Sequence, residues 1–357
     1  MSPTHDATTA TADGPTEDQA PGKTTRPAAD DRAGTTPLLE TRALTKHFRM
    51  SRTETVHAVD DLSLTIAENE ILGLVGESGS GKSTFGKTVL GLHDKTAGEV
   101  IYRGETLPQM YSTEDFRHNA RRMQMIFQDP YSSLNPRMTA GEIIAEGLRM
   151  HSDLAPAVVR DRVVQWLEQV GLNADHRSRY PHEFSGGQRQ RIGIARAMIV
   201  EPEFVVCDEP ISALDVSVQA QVINLLSDLK TRLGLTLLFI AHDLSMVRYV
   251  SDRMAVMYLG ALCETGPSND VFFRPMHPYT QLLIQSNPEP DPEFERTRTH
   301  ETMKGEIPSP VNVGAGCRFA ARCPKVMEVC RGVTPEPVEV RDETSGLARQ
   351  VACHLYP

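Results

Sequence analysis

The feature that most constrains this chain is a glycine-rich segment that directly follows a short apolar run. Residues 71–75 read Ile-Leu-Gly-Leu-Val, and residues 76–84 read Gly-Glu-Ser-Gly-Ser-Gly-Lys-Ser-Thr before a helical pattern that continues to Leu90. A strand, a loop of this composition and a helix together form the local structure of a phosphate-binding loop. The segment therefore predicts a buried strand of an α/β sheet with an anion site at its carboxyl end.

This phosphate loop predicts a site for a nucleotide. Glycines allow the backbone to curl so that successive N–H groups point at an anion, and the helix that follows adds the positive end of its dipole. We expect Lys82 to contact the β- and γ-phosphates and the Ser83 hydroxyl to bind Mg²⁺. The residues expected around the nucleotide are Gly76, Ser78, Gly79, Gly81, Lys82, Ser83 and Thr84.

A second apolar run, residues 204–207, ends in the carboxylates Asp208 and Glu209. Acidic residues at the carboxyl edge of a parallel sheet, beside a phosphate loop, are placed to hold Mg²⁺ and to orient an attacking water. We predict the metal role for Asp208 and the water role for Glu209. Taken alone, the same pair could simply end a strand.

Apolar runs recur along the chain with helical patterns between them, which predicts an α/β fold with a mainly parallel sheet. Besides 71–75 and 204–207, such runs occupy 235–240 and 254–257, and apolar alternation over 38–66 predicts an N-terminal antiparallel β region. Helices are predicted over 158–170 and 216–233. The buried face predicted for the second helix consists of Val218, Val222, Leu225, Leu226, Leu229 and Leu233.

Composition divides the chain into three parts. Residues 1–37 contain no Val, Ile, Leu, Phe, Trp, Tyr or Cys, so we predict a disordered tail. Residues 38–270 are predicted to form a nucleotide-binding domain of the P-loop NTPase type, with a helical subdomain at about 129–184. Residues 271–357 are richer in Pro and hold four of the six cysteines, which predicts a small C-terminal extension.

The charge balance argues against nucleic acid as a partner. The chain has 37 Lys and Arg against 47 Asp and Glu, a net charge of −10, so its overall field repels a polyanion. No apolar run reaches the roughly 18 to 20 residues of a membrane span, and no apolar stretch of a signal peptide stands at the start. We therefore expect a protein that stays inside the cell.

A third motif identifies a family. Residues 185–188 read Ser-Gly-Gly-Gln and open a basic, small-residue helix pattern, where free N–H groups form another anion site. In this order with the other two motifs, the set resembles the ATP-binding subunit of an ABC transporter, whose signature motif is this sequence. The resemblance implies that Ser185, Gly186, Gly187 and Gln188 act on ATP held by an opposing subunit.

The same resemblance assigns further positions in this sequence. Gln128 corresponds to a glutamine that contacts Mg²⁺ and links the ATP site to the membrane partner, and His242 to a histidine that contacts the γ-phosphate. Phe48 falls where the family places an aromatic residue that stacks on adenine; its other interpretation is a core Phe on an early strand. Residues 212–215 resemble the loop that crosses the dimer interface.

The remaining motif is a group of cysteines, Cys317, Cys323, Cys330 and Cys353. From chemistry alone a [4Fe–4S] cluster, a zinc ion or unligated thiols all remain open, because the gaps are long for zinc and disulfides conflict with a reducing cytosol. Arg318, Arg322, Lys325 and Arg331 could offset the charge of a cluster. Cys207 and Cys263 are interpreted as ordinary buried thiols.

Residues 277–280 and 316–324 resemble the C-terminal region of oligopeptide and dipeptide transporter ATPases, some of which hold a [4Fe–4S] cluster there. The resemblance implies ATP hydrolysis that drives peptide uptake, at the cytoplasmic face of the membrane, as a peripheral protein. The implied partners are two membrane permease subunits, a second ATPase subunit that is commonly a paralogue, and an extracytoplasmic solute-binding protein. Peptide, nickel or another solute remains open.

Two other classes are less consistent with the sequence. A soluble ABC ATPase that acts on DNA or ribosomes predicts a coiled-coil insertion or two fused ATPase halves, and the sequence has neither pattern. A P-loop small-molecule kinase has no use for the Ser-Gly-Gly-Gln motif or the cysteines.

Overall fold

A computed structural model describes residues 37–212, 214–286, 308–341 and 345–356. The predicted disordered tail, apart from Pro37, lies outside these residues. The strands are β1 Leu39–Arg49, β2 Thr55–Ile66, β3 Ile71–Val75, β4 Ala97–Tyr102, β5 Glu105–Thr106, β6 Met123–Ile126, β7 Phe204–Asp208, β8 Thr236–Ile240, β9 Arg253–Tyr258, β10 Ala261–Pro267, β11 Val338–Arg341 and β12 Ala348–Val351. The helices are α1 Lys82–Val89, α2 Thr113–Asn119, α3 Ala140–His151, α4 Pro156–Gln169, α5 Gly186–Met198, α6 Val216–Leu233, α7 Leu244–Val250, α8 Ser268–Phe273, α9 Pro278–Gln285 and α10 Val329–Gly332.

The larger sheet has eight strands in the order β11-β12-β10-β9-β3-β8-β7-β6. Strands β9, β3, β8, β7 and β6 are parallel, and β10, β12 and β11 add antiparallel pairs. Every residue of β3, β7 and β8 is buried, as expected for strands covered on both faces. The predicted α/β fold with a mainly parallel sheet is confirmed. The phosphate loop follows β3 and the strand-end carboxylates follow β7, so both lie at the carboxyl edge of the sheet with β8 between them.

The N-terminal β region forms a separate four-stranded antiparallel sheet in the order β2-β1-β4-β5. Its inner face buries Leu44, Val59 and Leu62 against a cluster that includes Phe85 of α1 and Leu72 of β3. The small sheet therefore packs against the strand and the helix that flank the phosphate loop.

Residues 129–184 contain no strand among the described positions, as predicted, and consist of α3, α4 and two short 3₁₀ turns. Helix α6 spans the predicted 216–233 and ends at Gly234, whose φ of 66° suits glycine. The predicted buried face of α6 was wrong at its last position: Leu233 is 40% exposed because the helix ends there, while Ile223, which the pattern left out, is buried.

The described residues after 270 pair with both sheets. Strand β12 pairs with β10, and β11 pairs with β12, so the extension continues the large sheet. Near β2, Val311 forms a bridge to Val56, and the His57 N–H donates to the Pro310 carbonyl at 2.9 Å. The predicted domain boundary at 270/271 falls inside α8. It therefore marks a change in amino-acid composition and not the end of a structural element. No helix among the described residues is long and apolar enough to cross a membrane.

Candidate nucleotide site

The phosphate loop has a backbone that only glycine adopts easily at two positions. Gly81, which precedes α1, has φ 101°, and a Cβ there would lie 1.9 Å from the Ala58 carbonyl oxygen. Gly76 has φ 153°, and its Cβ would lie 2.1 Å from the Met257 carbonyl oxygen. Both glycines therefore allow a close approach of backbones as well as a left-handed turn. Gly79, at φ 78°, has open space around it, which leaves room at the loop for an anion.

Lys82 is only 5% exposed and curls back over this loop. Its Nζ donates to the carbonyl oxygens of Gly76 at 2.8 Å and Glu77 at 2.9 Å. Burial lowers the pKa of Lys82, and the nearby carboxylates of Glu209, Asp208 and Glu77 oppose that shift. The ammonium is therefore held over the cradle where phosphates would bind, among groups that favour its charged form.

The two predicted Mg²⁺ ligands on separate elements meet. The Ser83 hydroxyl, in the first turn of α1, donates to Asp208 Oδ1 at the end of β7 across 2.6 Å. These residues are 125 positions apart in the chain. A hydroxyl and a carboxylate side by side are oxygen donors of the type that Mg²⁺ takes.

Glu209 gathers the other candidate catalytic residues. The Gln128 Nε2 donates to Glu209 Oε2 at 2.7 Å, and His242 Nδ1 lies 3.8 Å from the same oxygen. The Glu209 backbone has φ 44°, an unusual conformation for a residue with a side chain, and its N–H donates to the Ile240 carbonyl at 2.9 Å. Gln128 and His242 thus approach the Glu209 carboxylate, which lies next to Asp208 in the chain.

The signature residues form the start of α5. Ser185 caps the helix by accepting from the Gln188 N–H at 3.3 Å, while the Ser185 N–H donates to Gln188 Oε1 at 3.0 Å. A Cβ at Gly187 would lie 2.5 Å from Val218 of α6, so close packing requires glycine there. Ser185 is exposed and the two glycines are half-exposed. The start of α5 is therefore accessible at the surface.

Phe48, near the end of β1, is half-buried. Its ring meets the edge of His93 at a centroid distance of 5.4 Å, and the Lys46 ammonium lies 4.8 Å from its centroid. In the predicted interface loop, Ala213 lies outside the described residues, while Leu214 lies 3.6 Å from where a Cβ of Gly186 would be.

The four C-terminal cysteines approach one another. Burial raises the pKa of Cys317 to about 11, and the other three thiols act on it in the same direction. The Cys317 N–H also donates to the Cys330 carbonyl at 2.8 Å. Cys263 of β10 joins them: it is buried, its pKa is raised by burial and then by Cys317 and Cys353, and its carbonyl accepts from Ala352. The interpretation of Cys263 as an ordinary buried thiol did not predict that Cys317 and Cys353 would influence its pKa.

The basic residues between the cysteines are not arranged as expected. Arg318 pairs with Asp60 and donates to the Leu259 carbonyl, and Arg322 pairs with Glu77, so both point at the ATPase core rather than at the thiols. Lys325 does act on the pKa of Cys323 and Cys353 in the lowering direction. Only part of the predicted charge compensation is therefore present.

Asp60 is shared by two histidines as well. His47 Nε2 lies 3.1 Å from Oδ1 and His57 Nδ1 lies 3.0 Å from Oδ2. These donor atoms lie within 4.8 Å of one another, a spacing compatible with a cation. The guanidinium of Arg318 already neutralises the carboxylate, so an added metal ion would be opposed by that charge.

Sequence reasoning did not identify Glu77 or Tyr279 as parts of the site. The Glu77 N–H donates to the Tyr279 phenol oxygen at 2.9 Å, and its carboxylate accepts two hydrogen bonds from Arg322. These partners lie 202 and 245 positions away. No local sequence pattern predicts a pairing over such distances.

The fold and the three motifs define an ATP-binding cassette. Residues 59–212 match the family model described as "ABC transporter", and residues 263–330 match "Oligopeptide/dipeptide transporter, C-terminal region". A putative oligopeptide transport ATP-binding protein, YkfD of Bacillus subtilis (strain 168), is 54% identical over 321 residues, 90% of this chain and 96% of the relative. The oligopeptide transport ATP-binding protein OppF of Salmonella typhimurium is 50% identical over 307 residues, 84% of this chain and 92% of the relative.

Among solved structures, the dimeric post-hydrolysis state of the ATP-binding cassette MJ0796, bound to ADP and Pi, superposes with a TM-score of 0.60 at 27% identity. It covers 64% of this chain and 98% of that one. The chain therefore belongs to the family of ATP-binding subunits of oligopeptide and dipeptide ABC transporters, as the sequence motifs predicted.

Proposed function

We propose that this chain is the ATPase subunit of an ABC importer that hydrolyses ATP at a dimer interface to drive peptide uptake through separate permease subunits. The observation that carries the proposal is the meeting of Ser83 with Asp208 and of Gln128 with Glu209 at the carboxyl edge of the sheet. Two relatives whose names specify oligopeptide transport support the solute class.

In this proposal different residues of the chain bind the phosphates, Mg²⁺ and the adenine ring of ATP. The N–H groups of the phosphate loop, from Gly76 to Thr84, and the Lys82 ammonium bind the phosphates. Ser83, Asp208 and Gln128 hold Mg²⁺, which when bound neutralises charge on the β- and γ-phosphates. Phe48 offers an aromatic face to adenine, a contact that requires no particular base.

Hydrolysis follows from the group around Glu209. The carboxylate orients the attacking water and accepts its proton, and the Gln128 amide at 2.7 Å fixes that carboxylate in place. His242, which is exposed near Glu209, contacts the γ-phosphate. Ser185, Gly186, Gly187 and Gln188 of a second subunit complete the site, because the start of α5, with its free N–H groups, is accessible at the surface.

The assembly proposed is peripheral, at the cytoplasmic face of the membrane. It contains two membrane permease subunits, this chain and a second ATPase subunit, which we propose is a paralogue. An extracytoplasmic solute-binding protein delivers the solute to the permeases.

The four C-terminal cysteines offer the number of thiolates that an iron–sulfur cluster takes. All four are free cysteines. A [4Fe–4S] cluster takes one thiolate at each of four separate irons. We propose that Cys317, Cys323, Cys330 and Cys353 hold such a cluster, which supplies a structural cross-link for the extension.

The test of the function uses the whole complex. This chain is co-expressed with its neighbouring permeases and second ATPase subunit, reconstituted in vesicles, and its ATPase rate is measured with candidate peptides or Ni²⁺ in the presence of the binding protein. Stimulation by a peptide, lost in Glu209→Gln, is the expected result. Failure to assemble with permeases contradicts the importer, and stimulation by Ni²⁺ alone contradicts the peptide assignment.

A further inference from the structure

Glu77 joins the phosphate loop to the C-terminal extension by hydrogen bonds to Tyr279 and Arg322. Its N–H donates to the Tyr279 phenol oxygen at 2.9 Å, and its carboxylate receives Arg322 Nη1 at 2.8 Å and Nη2 at 3.0 Å. Its carbonyl oxygen accepts from Lys82 Nζ at 2.9 Å. Glu77 therefore links two residues of the extension directly to the lysine that is expected to meet the phosphates.

We propose that Arg322 and Tyr279 are positioning residues for ATP binding: they hold Glu77, and with it the phosphate loop, in its phosphate-binding shape. The proposal rests on the function proposed above, since it concerns the same nucleotide. It gives the extension a task in the ATP site that none of the three ATPase motifs performs.

The first reason is electrostatic. Glu77 places a carboxylate in a loop that must receive a polyphosphate, and two negative groups at such a distance repel one another. The two parallel N–H···O bonds of Arg322 neutralise this carboxylate and fix its direction, as bidentate guanidinium pairs do. The guanidinium side chain is only 5% exposed, so water screens the pair weakly.

The second reason is rigidity. Arg322 also donates to the Tyr258 hydroxyl at 3.2 Å, and the Tyr258 and Tyr279 rings lie 4.6 Å apart between centroids. Phe319 packs on both tyrosine rings at 5.3 Å. These aromatic residues are buried, and therefore neither Arg322 nor the Tyr279 hydroxyl can relax far from Glu77.

The position of Arg322 in the chain couples it to the cysteine cluster. Cys323 follows it directly, and Arg318, which reaches Asp60 of β2, directly follows Cys317. A ligand that held Cys317 and Cys323 in place would therefore also hold the backbone positions of Arg318 and Arg322. The extension therefore acts on the ATPase core at two places, the phosphate loop and the small sheet.

The test measures the dissociation constant of ATP by calorimetry on the full chain, together with kcat and KM in the assembled ATPase. Arg322→Ala should weaken ATP binding about tenfold, because the Glu77 carboxylate is left unpaired beside the phosphates. The kcat at saturating ATP should change by less than about twofold, since Arg322 acts through Glu77 and Tyr258, which are not among the residues proposed to activate the water. Adding Glu77→Gln to Arg322→Ala removes the unpaired charge and should restore most of the affinity.

Three further variants make the result decisive. The matched control Arg331→Ala, an exposed arginine of the same extension, should bind ATP as the wild type does. Tyr279→Phe keeps the packed ring, loses only the hydroxyl and should weaken binding about threefold, which decides the matter if Arg322→Ala does not fold. Lys82→Ala is the reference for a damaged phosphate loop.

Unchanged ATP affinity in Arg322→Ala and Tyr279→Phe overturns the positioning role while leaving the proposed function intact. A loss in Arg322→Ala that Glu77→Gln does not reverse also overturns it, because a merely structural arginine predicts that result. A wild-type chain that binds ATP no better than Lys82→Ala contradicts the proposed function itself.

Discussion

Glu209 is the residue whose local structure most clearly reflects a functional demand. A φ of 44° costs a residue with a side chain about 1 to 3 kcal/mol and persists only where its surroundings impose it. Here the backbone N–H is tied to Ile240, and the carboxylate is held by Gln128. The strained turn directs the side chain out of the strand end, next to Asp208, where a water bound to the γ-phosphate would lie.

Replacing Glu209 by Gln should therefore separate ATP binding from hydrolysis. The amide keeps the size of the side chain but cannot accept a proton, so turnover should fall by a factor of about 100 or more. The phosphate loop is unchanged, so ATP should still bind and hold two subunits together. Steady-state phosphate release and size-exclusion chromatography with ATP measure the two effects.

Glu201→Gln is the matched control for this experiment. Glu201 also has a positive φ, 55°, but its carboxylate pairs with Arg162 on the surface, away from the site. Its loss should leave turnover unchanged. Substantial hydrolysis by Glu209→Gln in a preparation free of other ATPases would contradict the role given to this carboxylate.

At the scale of single elements, helix α9 depends on a neutral histidine. His277 is 2% exposed, and its Nδ1 accepts from the Tyr279 N–H at 3.0 Å, which caps the helix that carries Tyr279. Burial lowers the pKa of His277 to about 4 from 6.5. The neutral ring is required, because a protonated Nδ1 cannot accept the hydrogen bond.

The depressed pKa predicts acid sensitivity with a definite sign. Below pH 6.5 the unfolded chain binds a proton at His277 while the folded chain does not, so the stabilisation present above pH 6.5 is lost as the pH falls towards 4. This single group should contribute a loss of about 3 kcal/mol in the free energy of unfolding. Denaturant titrations at several pH values measure it.

His277→Asn provides the comparison, because Asn is a good N-cap and does not titrate. The difference in unfolding free energy between wild type and variant should shrink as the pH falls through this window. A difference that stays constant from pH 7 to pH 4.5 would show that His277 is not the titrating group.

The elements illustrate how far the sequence alone reaches. Strand β3 and helix α6 have the predicted bounds because their apolar patterns are continuous and glycine ends them. Strand β6 was not predicted: its four residues include Gln124 and are too few for a periodicity to emerge. The ion pair of Arg322 with Glu77 and the influence of Cys317 and Cys353 on the pKa of Cys263 join segments that are distant in the chain, so the sequence alone does not predict them.

The cysteine extension yields a prediction that rests on its donor set. Anaerobic purification should give brown protein with iron and acid-labile sulfide near four each per chain, the content of one [4Fe–4S] cluster. Cys330→Ser should lower both contents and speed proteolysis after about residue 270, since this segment has few apolar residues of its own. Cys207→Ser, at a buried thiol in β7 outside the group, is the control for iron content. Zinc without iron, or no metal, would contradict the cluster.

At the scale of the whole molecule, one chain holds both halves of a site that it cannot close alone. The phosphate loop leads into α1 and the signature residues form the N-cap and first turn of α5, on separate parts of the chain, and Ser185 is exposed. Beside them Val216 is 82% exposed, an apolar side chain suited to burial between subunits. A related cassette was solved as a dimer with ADP and Pi. We therefore expect ATP to be enclosed between two subunits.

This arrangement predicts that the isolated monomer is nearly inactive. Total ATPase activity should rise faster than linearly with concentration, so specific activity should increase and then level off once dimers dominate, by mass action. The titration is made with this chain and, where the partner is a paralogue, with both chains, while light scattering follows the mass. Constant specific activity at concentrations where only monomer is present would refute the shared site.

Mixing two inactive variants tests which subunit supplies each half. Lys82→Ala retains the signature, and Ser185→Arg retains the phosphate loop. In each homodimer both sites carry the same defect, so neither homodimer contains a complete site. A mixed dimer contains one complete site, formed by the Lys82 loop of one chain and the Ser185 signature of the other. The test applies to dimers that this chain forms with itself: for equal amounts of copies that pair at random, half of the dimers are mixed and activity should recover to about a quarter of the value of the wild-type homodimer. If both halves came from the same chain, every subunit in the mixture would remain defective, and no activity would return.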